Sequence, residues 1–150
     1  PLSQFFAKYP SFDHNPKVSS SQEFKRLSNQ FGWTRATSRE HGDEFGKAAV
    51  QQFDLLYGTS LQDLDSWRRF FEALGEEYCP ASIEQCILAV RNIHINIMDL
   101  VDKPLSGKDI PRFPSEAELR TYSQRTGKFF PRKRVKDGSF LEFLLRRIRR

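Results

Sequence analysis

One short phrase recurs along this chain and limits its fold more than any other feature. It is a hydroxyl residue, two others, an acid or amide, then apolar residues. It stands at Ser20-x-x-Glu23, Thr37-x-x-Glu40, Ser60-x-x-Asp63, Ser82-x-x-Gln85, Ser115-x-x-Glu118 and Ser139-x-x-Glu142. A hydroxyl at a helix N-cap accepts a hydrogen bond from a backbone N–H of the first turn, and the acid three residues on reaches back to the cap's own N–H. No stretch shows strand-like alternation between hairpin turns. The phrase therefore announces an all-α chain and marks where each helix starts.

The apolar spacing after these starts gives five to six helices. Over 21–31, Phe24, Leu27 and Phe31 form one stripe, and Gly32 stands where a left-handed cap ends a helix. Over 38–57, Phe45, Ala49, Phe53 and Leu56 share a face. Gly42 and Gly46 weaken the first half of that helix or let another element approach closely. Over 61–74, Leu61, Leu64, Trp67, Phe71 and Leu74 make a full amphipathic face. The stretch 83–101 is the most apolar, and only Leu88 and Ile95 fall on its polar side. A helix apolar on more than one side lies at the centre of its domain. Helices over 116–126 and 140–149 complete the set. The expected architecture is a compact single-domain bundle of five to six helices around a central helix at 83–101. Residues 1–18 carry Phe5, Phe6, Tyr9 and Phe12 between prolines and read as an aromatic N-terminal arm packed on the helical domain 19–150.

A chain of 150 residues suits one domain that buries about two-thirds of its unfolded surface. Two cysteines, Cys79 and Cys86, make no disulfide framework and fit a reducing compartment. The opening PLSQFFAKYP lacks the layout of a signal peptide, and no apolar run approaches a membrane span. The net charge of +5 is unevenly spread: residues 1–110 hold 12 Lys/Arg against 15 Asp/Glu, and residues 111–150 hold 12 against 4. The basic character belongs to the C-terminal quarter, 111–150.

That quarter holds the first candidate site. Arg132, Lys133, Arg134 and Lys136 follow Phe129 and Phe130, and Arg146, Arg147, Arg149 and Arg150 close the sequence. Clustered cations neutralise phosphates, and neighbouring aromatics stack on unpaired bases. The string PRKRVK also has the form of a nuclear-import signal. Against both stands the plainer reading, a solvated loop and the charged outer face of a helix. Leu88, Ile95, Phe129 and Phe130 are the candidates for binding a partner protein, unless the last helix covers them. Cys86 and His94 share a helical face but lack the paired ligands of a metal site, so no metal or cofactor is expected. Asp63, Asp65, Asp99 and Asp102 read as caps and solvated acids, and no catalytic motif is present.

The strings FFAKYPSFDHNP, EFKRL, FGW, QQFDLLYGT, SWRRFFEALG and TGKFFPR resemble a family of small predicted proteins of filamentous fungi, over Phe5 to about Ile148. The resemblance implies a eukaryotic, intracellular protein and brings no activity or ligand with it. The expected function is a non-enzymatic protein–protein interaction module in the nucleus. The alternatives are a nucleic-acid-binding domain that uses the basic cluster and a small helical enzyme.

Overall fold

The computed structural model describes residues 1–148. Its described residues form eight helices: α1 (Leu2–Ala7), α2 (Ser20–Phe31), α3 (Arg35–Tyr57), α4 (Leu64–Ala73), α5 (Ile83–Val90), α6 (Ile97–Ser106), α7 (Glu116–Thr126) and α8 (Phe140–Arg147). Among them there is no strand, only an isolated antiparallel bridge between His94 and Phe113. The all-α, single-domain expectation holds. The count is eight rather than five to six, because residues 2–7 form a helix and the expected helix at 83–101 is two.

Three of the six capping phrases start helices where they stand. Ser82, Ser115 and Ser139 accept from the N–H groups of Gln85, Glu118 and Glu142. In the other three the cap lies one to three residues away, at Ser19, Thr34 and Asp63. At two of these the hydroxyl is engaged elsewhere. Ser20 donates its Oγ proton to Asp102, and Ser60 accepts from Gln62 N–H in a turn of its own.

The break at 91–96 corrects the largest expectation. The N–H groups of Arg91, Asn92 and Ile93 bond three residues back, which tightens and ends α5. His94 then gives its carbonyl to Phe113 N–H at 2.9 Å. Asn96, 1% exposed, caps α6 by accepting from Met98 N–H at 2.9 Å. Its amide group donates to Ser123 Oγ at 3.0 Å and to the Lys128 carbonyl at 2.7 Å. A buried amide needs all of these partners, and a continuous helix would remove the cap.

The hub is α3 rather than 83–101: α1, α4, α6 and α8 all pack on it. Its buried face carries Phe45, Ala49, Phe53 and Tyr57. Phe140 of α8 sits between Phe53 and Trp67, with ring centroids at 6.0 and 4.9 Å. At the other end, Phe5 of α1 meets Phe45 at 5.6 Å. One core cluster runs from Leu2 to Ile148.

Candidate interaction surface

The basic connector after α7 is fastened to the body. Lys133 Nζ stands 3.5 Å from Asp43 Oδ1, and Arg134 forks onto both oxygens of Asp43. The Arg134 guanidinium outweighs the cost of dehydration and holds the Asp43 carboxyl below its usual range. Pro131 presses against Gly46 of α3, where an added Cβ would lie 2.9 Å from Pro131 Cβ. This is the close approach that Gly42 and Gly46 foreshadowed. Arg132 and Lys136 are exposed. Arg146 pairs with Glu142, and Arg147 lies over the Phe143 ring. Arg149 and Arg150 lie outside the described residues. The structure thus spreads the basic residues over two places and spends Lys133 and Arg134 on an acid of α3.

The four apolar candidates separate. Ile95 and Phe130 are in the core, at 0% and 4% exposure, whereas Leu88 and Phe129 are 56% and 51% exposed. Ile95 faces inward because the break at 91–96 resets the helical phase. Leu88 stays out because α8 packs on α3 rather than across α5.

An exposed aromatic that the helical stripes did not foretell lies between α4 and α5. The loop after Gly75 is tied down by Glu76 N–H to the Phe71 carbonyl at 3.0 Å and by an Arg112–Glu76 ion pair. The next aromatic, Tyr78, is 80% exposed, the most of any large apolar side chain described. It lines two hollows. One, of about 440 Å³, is walled by Arg68, Phe71, Glu72 and Cys79. The other, of about 250 Å³, is walled by Pro80, Ala89, Ile93 and Arg112. The only sequence signal was an aromatic in a loop beside proline, outside any helical periodicity.

A polar cleft of about 340 Å³ lies elsewhere, between α6, α7 and the segment before α2. Tyr122 donates to Asp99 at 2.8 Å, and Lys128 donates to Asp99 at 2.8 Å and to the Tyr122 oxygen at 2.7 Å. Asp102 accepts from Ser20 N–H at 3.1 Å and from its hydroxyl. Burial pushes the Asp102 and Tyr122 groups up from their usual ranges. These groups converge, but each is spent on a neighbour, and together they bind α2, α6 and α7.

No protein-family model, no curated protein and no solved structure matches this chain. No described helix is long and apolar enough to cross a membrane.

Proposed function

We propose that this domain is a non-enzymatic module that binds another protein through the Tyr78 face between α4 and α5. The observation that carries the reading is an aromatic side chain 80% exposed between two hollows that share Phe71 in their walls. Exposed aromatic anchors beside pockets are where binding energy concentrates in protein interfaces. The rim carries Arg68, Glu72, Glu76, Glu77 and Arg112, an acidic balance that suits a segment with apolar side chains and a basic flank. The polar cleft lends less to an enzyme reading, because its ionisable groups bond one another.

The nuclear and nucleic-acid readings rest on the basic connector, and there only Arg132 and Lys136 stand clear of Asp43. Both place the protein where the import-like string would lead it. A fluorescent fusion that leaves the nucleus on Arg132→Ala/Lys136→Ala substitution supports the location; unchanged distribution removes it.

The binding reading is tested by parallel retrieval from lysate with the parent, Tyr78→Ala and Lys133→Ala/Arg134→Ala, quantified by mass spectrometry. Loss of a hot-spot aromatic costs about 2 kcal/mol or more, roughly thirtyfold in affinity. A partner retained by the parent and the basic-strip variant but lost by Tyr78→Ala is the expected result. The same set of proteins from all three baits would overturn it.

A further inference from the structure

The two cysteines that are seven apart in the chain meet in space. Cys79 Sγ and Cys86 Sγ are 3.8 Å apart. Cys79 is half-buried in the loop after α4, where it lines the larger hollow. Cys86 is wholly buried on the inner face of α5, and its thiol points at the Pro80 carbonyl, 3.7 Å away. The loop between them is short and carries Pro80, which limits how far Cys79 can wander. A disulfide needs the sulfurs at about 2.05 Å, so closing the remaining gap takes rotation of the Cys79 side chain and a small shift of its loop.

We propose that Cys79 and Cys86 form a dithiol that closes to an internal disulfide when it meets a small oxidised disulfide such as that of glutathione. The exposed partner acts first. The Cys79 thiolate attacks one sulfur of the reagent; the reagent's S–S bond breaks, one small thiolate leaves, and a mixed disulfide forms on Cys79. Cys86 acts second. It gives its proton to the departing thiolate, its sulfur attacks Cys79 Sγ, and the second small thiolate leaves. Two protein thiols are oxidised by two electrons, and one reagent disulfide is reduced to two thiols. Burial, together with the neighbouring Cys79, pushes the Cys86 thiol up to about 12. Cys86 is 0% exposed and Cys79 is only half-buried, so the reagent reaches Cys79 first.

In a reducing compartment the pair rests open. When the thiol pool becomes oxidised, the bond ties the Tyr78 loop to α5 and fixes one wall of the larger hollow. Neither cysteine needs an interaction partner for this chemistry, so the inference stands apart from the proposed binding function.

The test is to equilibrate the purified chain with graded ratios of oxidised to reduced glutathione, quench with iodoacetamide in denaturant, and read the intact mass. The expected result is conversion from two alkylated thiols to none in a single step, with two hydrogens lost and no glutathione retained. In Cys86→Ser, the same treatment leaves a stable glutathione adduct on Cys79. A parent that keeps both thiols, accumulates the mixed adduct, or links into dimers overturns the proposal, and the parent alone decides it if the variant does not fold.

Discussion

Glu23 is 2% exposed and carries its charge inside the protein. Its carboxylate accepts from Asn15 N–H at 2.9 Å and from Arg26 Nε at 3.0 Å, and it stands 3.1 Å from His14 Nδ1. Burial alone would raise its pKa, but Arg26, Asn15 and His14 together hold it below the usual carboxylate range. A lowered folded pKa stabilises above the unfolded value, and the contribution is lost as pH falls through the folded value. Glu23→Gln is therefore expected to lose about 1.5–3 kcal/mol at neutral pH, with the deficit shrinking below about pH 4; urea titrations across that range measure it. Asp102 has the opposite sign. Burial raises it, Ser20's donors offset that in part, and Asp99 adds to the rise. Its contribution is full below the unfolded pKa and fades as pH climbs through the raised one. Asp102→Asn can still accept from Ser20 N–H, so it should match or exceed the parent's stability at pH 7 and lose that advantage in acid. A parent that is the more stable of the two at pH 7 would contradict this. Neither burial was readable in the sequence, because an acid on a helix looks the same whether it faces water or is covered by a segment packed over it, as Glu23 is by His14 and Asn15 and Asp102 by Ser20.

At the scale of the element, α3 shows how one glycine differs from another. A Cβ on Gly42 would meet Phe24 Cζ at 3.8 Å, an ordinary contact, while on Gly46 it would press into Pro131. Gly→Ala inside a helix stabilises by about 0.8–1 kcal/mol where nothing opposes it. Gly42→Ala should gain close to that, and Gly46→Ala should instead destabilise, because the connector fastened by Asp43 must move. Thermal melts of the two variants decide it; a gain in both would mean the connector is loosely held. Helix α6 shows what a pattern search passes over. Asn96-x-x-Asp99 has the spacing of the capping phrase, with an amide in the hydroxyl's place. The apolar arc running through it hid that signal, since Ile93, Ile97 and Leu100 fit one long helix equally well.

Across the whole molecule, α1 shares the same core as the rest, with Leu2, Phe5 and Phe6 each no more than 3% exposed. Burying such a side chain stabilises by about 1.5–3 kcal/mol, so removing residues 1–7 withdraws an amount comparable with the stability of an ordinary domain, about 5–15 kcal/mol. The shortened chain should lose its cooperative melt by circular dichroism at room temperature; a melt within a few degrees of the parent would show that the arm is dispensable. The helical class, the ends of most helices and the apolar side chains available for burial were legible along the chain, because capping and 3.6-residue periodicity are local. That α3 is the hub, that Ile95 is inside and Leu88 outside, and that Lys133 and Arg134 are held by Asp43 came only with the folded chain. Those outcomes depend on which faces meet across the chain, and contacts of that kind leave no mark on local spacing.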